Sequence, residues 1–265
     1  MPKFGLIIIG DEILSGKRAD KHMTKVIETL SSRGLELSYA NYVGDDPVRI
    51  TASLKAAFES GDVVFSTGGI GATPDDHTRQ CAAKALGREL ALHPRGADLI
   101  RERMQDTARE GGVPYEPDRD DNKHRLNMAV FPVGADLIPN PYNKIAGFSV
   151  GRVYFVPGFP VMAWPMMEWV LDTHYAQYFN KSPNAEWSVI VQGAMEATLT
   201  PLMEQIEADF VGIKVFSLPS VDHSKYGRHI ELGVKGAPEQ VTLAYPALIS
   251  GLKGLGATLM DELKR

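Results

Sequence analysis

Apolar positions in the first third of the chain follow two rhythms. Phe4 to Ile9 and Val63-Val64-Phe65 are short, nearly unbroken apolar runs. Strands buried on both faces of a parallel sheet look like this. Between them the spacing turns helical. Met23, Val26, Ile27 and Leu30 predict one buried face of a helix from about Asp20, with a stop at Gly34. Leu35 to Val43 predicts a second strand. Asp46-Pro47 predicts an N-cap followed by proline at the first helical position. Ile50, Leu54 and Phe58 supply that helix's buried stripe, and Gly61 ends it. A third helix should follow a glycine-rich stretch at Thr67–Asp76 and run to about Gly87.

Strand–helix alternation with short connections predicts an α/β fold, a three-layer sandwich with a mostly parallel sheet between helices. Ligands of such folds sit at the carboxyl ends of the strands. The loops at Gly10–Gly16, Gly44–Asp46 and Thr67–Asp76 should therefore gather on one edge. Further on, His93–Gly112 reads as a charged helix and Gly111–Arg125 as an exposed loop or short helical segment. Short strands are expected around Pro139-Asn140-Pro141 and over Val150–Val156, then a helix rich in Met and Trp (Trp164, Met166, Met167, Trp169). The polar stretch Asn180–Glu186, with Pro183, predicts a boundary between domains at 1–180 and 181–265. Strand Trp187–Gln192, helix Thr200–Phe210, strands Ile213–Leu218 and His229–Lys235, and helix Pro238–Leu255 predict a small α+β domain.

Composition removes several classes. The 265 residues are 44% hydrophobic and 23% charged, a globular balance. A net charge of -5 without any Lys/Arg-rich block argues against nucleic acid as a partner. The single cysteine, Cys81, can form neither an internal disulfide nor a cysteine zinc site, which fits a reducing cytoplasm. Cys81 itself should pack in the third helix. No apolar stretch is long enough to span a membrane, and no signal-peptide pattern precedes the first strand.

The candidate chemistry lies in Phe65–Asp76, Phe-Ser-Thr-Gly-Gly-Ile-Gly-Ala-Thr-Pro-Asp-Asp. Glycines let a ligand approach the backbone, and free N–H groups at a helix start attract anions. Asp75 and Asp76 would repel a naked phosphate, so the combination calls for a divalent cation such as Mg²⁺ between acid and ligand. A plainer reading makes Thr73 an N-cap, Pro74 the first helical residue and Asp76 the closing acid of a capping box. The preceding glycines favour a site. No Gly-Lys-Ser/Thr follows, and Pro74 holds the third glycine position of Gly-x-Gly-x-x-Gly. A conventional ATPase or dinucleotide dehydrogenase is therefore disfavoured. Asp11, Glu12 and Asp45 add carboxylates at two other strand ends; Asp46 is spent as a cap, leaving Asp45 freer for chemistry. Gly147-Phe148-Ser149-Val150-Gly151 spells a nucleophile elbow, but a strand follows it where a helix is required, so a hairpin turn is expected. The histidines show no paired metal spacing, and His77 reads as a first-turn residue.

With these residues in view, the chain resembles the molybdopterin-binding (MoCF biosynthesis) domain family, in the form found in competence/damage-inducible protein A. The likeness rests on Gly10-Asp11-Glu12-Ile13-Leu14-Ser15-Gly16, Val43-Gly44-Asp45-Asp46 and Ser66 through Arg79. It continues through Pro132-Val133-Gly134-Ala135, Ile138-Pro139-Asn140-Pro141 and Val156-Pro157-Gly158-Phe159-Pro160. The resemblance implies a fold that binds molybdopterin or a related nucleotide-linked cofactor, with a role in molybdenum cofactor metabolism. It also implies an alternative, a metal-dependent pyrophosphatase acting on ADP-ribose or FAD-like dinucleotides; the altered Tyr142–Ala146 loop motivates a third, a non-catalytic regulatory module that kept the fold. The family's aspartates at Asp45 and Asp76 are tied to its adenylyl chemistry or metal. The implied site has Asp45 and Asp76 as catalytic and metal-holding residues. Gly10, Asp11, Glu12, Ser15, Gly16, Thr67, Gly68, Gly69, Gly71, Asp75, Pro157 and Gly158 would surround the cofactor. A homo-oligomer fits the family likeness and the apolar Met/Trp helix. The amidase domain of longer members is not expected here.

Two stretches depart from the family pattern. Asn143-Lys144 replaces its Gly-Thr after Asn140-Pro141-Tyr142, and Met162-Ala163-Trp164 replaces its Glu-Met-Lys. Lys144 could offer a cation to a phosphate.

Overall fold

The computed structural model describes residues 1–180 and 185–265 and divides the chain into two compact units, Met1–Phe179 and Asn180–Arg265. Pro183, the anchor of the expected boundary, lies outside the described residues.

The first unit is built in the order β1 (Phe4–Ile9), α1 (Asp11–Leu14), α2 (His22–Ser31), β2 (Leu37–Val43), α3 (Pro47–Ser60), β3 (Val63–Thr67) and α4 (Thr78–Leu86). Then come β4 (Leu90–Leu92), α5 (Pro94–Glu110), α6 (Asp120–Arg125), β5 (Val130–Pro132), β6 (Asp136–Ile138), β7 (Gly147–Val150), β8 (Val153–Val156) and α7 (Pro160–His174). Its six-stranded sheet runs β2-β1-β3-β8-β7-β6. The first four strands are mutually parallel, and β7 and β6 extend the sheet antiparallel.

The continuous apolar run of β1 is buried at all six positions because the strand is central and covered on both faces. Phe4, Leu6 and Ile8 join the core under α2 and α7, with Val26, Leu30, Ala163 and Met166. Ile7 and Ile9 join the opposite core, with Ile50, Leu54 and Ala82 of α3 and α4. The alternation of faces along one strand thus makes the three layers. In the second core Phe148 stacks between Phe131 and Phe155 at 4.7 and 4.3 Å between ring centroids. Fully burying each such ring contributes roughly 1.5–3 kcal/mol.

Helix α3 starts as its sequence demands. The Asp46 carboxylate accepts the amides of Val48 and Arg49, Pro47 follows, and Gly61 ends the helix in the left-handed region. Gly147–Val150 is itself strand β7, and the tight turn to β8 falls at Gly151-Arg152, so the elbow-like motif lies in a hairpin and the strand expected over Val150–Val156 is interrupted there. Cys81 is buried in α4.

Three expectations are corrected. Ile27 is 45% exposed: His22, Val26, Thr29 and Leu30 form the buried face of α2 instead. Helix α4 begins at Thr78 rather than Thr73, so Thr73 and Pro74 form a separate turn ahead of it. The Gly10–Gly16 loop contains the short helix α1.

The second unit pairs β9 (Ala185–Gln192), β10 (Lys214–His223), β11 (Gly227–Gly236) and β12 (Thr258–Lys264) in an antiparallel sheet, order β10-β11-β9-β12. Helices α8 (Glu196–Asp209) and α9 (Pro238–Gly254) cover it, burying Leu199, Ile206, Leu232, Val234, Val241 and Leu248. Among the described residues no helix is long and apolar enough to cross a membrane.

Candidate functional site

Strand register brings the candidate loops together. Ile8 lies opposite Thr67, Thr67 opposite Val156, and Ile9 opposite Val43. The chain therefore leaves β1, β2, β3 and β8 at one edge of the sheet. A cleft of about 380 Å³ opens there, lined by Gly10, Glu12, Asp45, the Gly68–Thr73 loop, Asp75, Asp76, Pro157 and Gly158.

Glycine is required where these backbones meet. Gly68 has φ +94° and Gly69 φ +67°, and each presses its Cα face on a neighbour. A Cβ at Gly68 would strike the carbonyl of Ile9, and one at Gly69 the hydroxyl of Thr78. The loop is tied at both ends. The Gly68 amide donates to the Val156 carbonyl at 3.1 Å; the Thr78 amide and hydroxyl donate to the carbonyls of Gly69 and Gly68, each at 3.0 Å. In between, the amides of Gly69, Ile70, Gly71 and Ala72 find no acceptor among the described residues. Unpaired amides on consecutive residues form an anion-binding nest.

Asp76 does not cap a helix. Its Oδ2 accepts the amide and hydroxyl of Thr73 at 2.8 and 2.6 Å, closing the turn ahead of α4. Only half of the expected capping box is present: Asp76 accepts the Thr73 amide, but the Asp76 amide donates to the Thr73 carbonyl, not its hydroxyl, and the turn lies ahead of the helix. Arg79, buried in the first turn of α4, braces the loop by donating to the carbonyls of Gly71 and Asn127. Burial lowers its guanidinium below the ordinary value, opposed by the charge of Asp76.

Asp11 and Asp45 grip each other. The Asp11 amide donates to Asp45 Oδ2 at 2.9 Å, and the Asp45 amide to Asp11 Oδ1 at 3.1 Å. Gly44 allows this, since a Cβ there would meet the Asp11 carboxylate. Burial pushes the Asp45 carboxyl above its ordinary value; the Asp11 amide pulls it back, and the charges of Asp11, Glu12 and Asp75 raise it further.

Asp11 thus stands behind Asp45 without lining the cleft, Thr67 lines a neighbouring cleft, and Ser15 and Gly16 sit in the turn after α1, away from both. Lys144 is committed elsewhere. Its Nζ bonds Asp106 at 2.5 Å and lies 4.0 Å from Glu102, both on α5, and the residue lines neither cleft. Sequence reasoning missed Arg18, Asn140, Asn143, Phe159 and Met162, which complete the walls. Asn140 carried a signal in Pro139-Asn140-Pro141; its side chain holds the departed loop by donating to Asn143 and to the Ile145 carbonyl. Arg18 carried none.

No group of three or more His, Cys, Asp or Glu among the described residues is arranged to hold a metal ion. The carboxylates here are hard oxygen donors suited to Mg²⁺, which keeps several coordination sites for phosphates and water. Among the described residues they do not form a protein-only cage.

Residues 5–176 match a family described as a probable molybdopterin binding domain. A CinA-like protein of Anaeromyxobacter sp. strain K is 33% identical over 171 residues, covering 63% of this chain and 40% of that protein. An otherwise undescribed protein of Caldivirga maquilingensis is 28% identical over 244 residues, 89% of each chain. Among solved structures, the CinA protein of unknown function from Thermoplasma acidophilum aligns at TM-score 0.54 and 25% identity, covering 64% of this chain and 97% of that one. Relatives named for competence-damage induction match at 29% and 32% identity; this chain spans about half the length of such proteins or less, 49% and 41%. By the match across its first unit, the chain belongs to the molybdopterin-binding (MoCF biosynthesis) domain family.

Proposed function

We propose that the cleft at the carboxyl ends of β1, β2, β3 and β8 binds the phosphate-bearing part of molybdopterin or a related nucleotide-linked cofactor, with a divalent cation between phosphate and protein. One observation carries this reading: four consecutive unpaired amides, Gly69–Ala72, share a cleft with Asp45, Asp75 and Asp76. The amides suit phosphate oxygens, and the carboxylates suit the cation that must accompany them. Asp11 positions Asp45 through the paired amide–carboxylate bonds, and Thr73 positions Asp76. Arg18, paired with Glu12 at 3.7 Å, brings a guanidinium to the same lining.

A second reading, hydrolysis of ADP-ribose or an FAD-like dinucleotide, draws support from Asp45. A carboxyl raised by burial and by three acidic neighbours gains when a cation or proton joins it. A bound divalent cation would neutralise phosphoryl oxygens and acidify a water. Water would then add to phosphorus as the bridging P–O bond breaks, giving AMP and ribose 5-phosphate from ADP-ribose.

Calorimetric titration with ADP-ribose and with a phosphorylated pterin, each with and without Mg²⁺, tests the binding. Chromatography for AMP after incubation with Mg²⁺, Mn²⁺ or Co²⁺ tests the hydrolysis. Binding of either ligand that strengthens with the cation supports the first reading, and AMP release the second. Binding indifferent to the cation refutes the shared-ion site, and no binding of either ligand refutes the cleft assignment.

A further inference from the structure

A second cleft of about 320 Å³ lies beside the first and shares Glu12, Arg18, Gly158 and Phe159 with it. Two of its lining residues carry polar atoms that nothing above uses. His22 is 4% exposed and Thr67 is 1% exposed. His22 Nε2 sits 3.0 Å from the Gly158 carbonyl. A carbonyl only accepts, so this nitrogen carries the proton and Nδ1 of the neutral ring is a bare acceptor. Among the described residues, neither His22 Nδ1 nor Thr67 Oγ1 has a partner. Native interiors leave few polar atoms in this state, and a pair at one cleft calls for a ligand that supplies the missing bonds.

The helix start is not the attraction here. Asp20 already accepts the amides of His22 and Met23 at 2.8 and 3.1 Å. What the cleft offers instead is an exposed aromatic side chain in the same lining as His22 and Thr67. Phe159 is 55% exposed, with the Arg18 guanidinium 5.9 Å from its ring centroid. An aromatic face, a fixed acceptor and a hydroxyl able to donate or accept are the recognition set for a planar nitrogen heterocycle bearing an N–H.

We infer that this side cleft is a specificity subsite for the amino-bearing heterocycle of the ligand whose phosphate occupies the main cleft, an inference that rests on the phosphate reading above. An N–H of the ring donates to His22 Nδ1, Thr67 Oγ1 makes a second bond, and Phe159 packs on the ring face. Adenine and pterin rings share this chemistry. His22 and Thr67 are then the residues that separate ring-bearing ligands from bare phosphates.

Calorimetry on the full chain in Mg²⁺ decides it, with three probes: ADP-ribose, a phosphorylated pterin and ring-free pyrophosphate. The variants are His22→Leu and Thr67→Val. Whichever ring-bearing probe the native protein prefers should lose tenfold or more in affinity in each variant, while pyrophosphate changes less than twofold. The preferred probe identifies the ring. Thr67→Val should also raise the melting temperature of the ligand-free protein, since it removes an unsatisfied buried hydroxyl without changing side-chain shape. Equal losses for ring-bearing probe and pyrophosphate would mean a purely structural role and overturn the subsite. So would undiminished ring binding in Thr67→Val. A native protein that binds pyrophosphate as tightly as either ring-bearing probe overturns the subsite and leaves the main cleft standing. A native protein that binds none of the three overturns both.

Discussion

Asp45→Asn separates folding from function at one atom. The carboxylate of Asp45 faces the charges of Asp11, Glu12 and Asp75, and burial and those charges raise its affinity for a proton. A carboxylate pair about 6 Å apart repels by roughly 0.7 kcal/mol in a water-like dielectric. Salt near physiological strength screens the more distant neighbours, leaving about 1 kcal/mol for the three together. Asparagine keeps an oxygen for the Asp11 amide, now 2.9 Å away, but turns a charge-assisted bond into a neutral one, a loss of about 0.5 kcal/mol. The net gain is about 0.5 kcal/mol, or about 1–2 °C in the melting temperature of a unit of this size. The sign with pH follows from the direction of the shift. A carboxyl raised in the folded state favours folding when protonated, and that contribution is lost as pH rises through the folded value. The gain from Asp45→Asn should therefore be present at pH 7 and shrink as pH falls through the raised folded-state value, disappearing once native Asp45 is itself protonated. Scanning fluorimetry across pH reads this directly. The same scans with Mg²⁺ and ADP-ribose should show a ligand-induced rise in the native protein and none in the variant. A lower melting temperature at pH 7, or a ligand-induced rise that survives the substitution, would sink the reasoning.

Three other substitutions probe the loop. Asp76→Asn keeps an acceptor for Thr73 and should leave the melting temperature within about 2 °C while abolishing any cation-dependent turnover; retained turnover removes Asp76 from the metal assignment. Gly69→Ala forces φ +67° on an L-residue and drives a methyl against Thr78, whose hydroxyl bond to Gly68 is buried; it should destabilise by about 2–4 kcal/mol in urea unfolding, and a loss below 1 kcal/mol would contradict the close approach. Arg79→Met leaves the Gly71 and Asn127 carbonyls without their donor and should cost about 2–3 kcal/mol, with faster hydrogen exchange across residues 68–77; unchanged exchange there would show that α4 does not brace the loop.

The parallel half of the sheet was legible because its strands are central. Burial on both faces forces the unbroken apolar runs of β1 and β3, and Asp46-Pro47 with Gly61 brackets α3 by backbone chemistry alone. The ribbon of β4 and β5 was not legible: Leu90–Leu92 is exposed throughout, so no periodicity marks it. Strand β12 was hidden by its acids and lysine, and the start of α8 by Pro201 within the helix. The site shows the same division. Glycines and acids confined to short loops were readable as a candidate cleft, since strand ends bring such loops together. The tie of Lys144 to Asp106, 38 positions away, and the pairing of His22 with Gly158 across 136 positions depend on packing that no local pattern encodes.

The main cleft is bounded along its inner edge by bare backbone. Gly68 lies against the Ile9 carbonyl, and Gly158 approaches Gly68 Cα closely enough that even a Cβ there would touch it. Sequence drift therefore has no side chains on that edge through which to retune the ligand, and any new Cβ at Gly68 or Gly69 runs into its neighbours first. Divergence in ligand preference has to travel through the side chains elsewhere in the lining, Arg18, Asn143, Phe159 and Met162 among them. A directed-evolution library confined to those four positions would search most of the chemistry this scaffold can reach while leaving its glycine edge untouched.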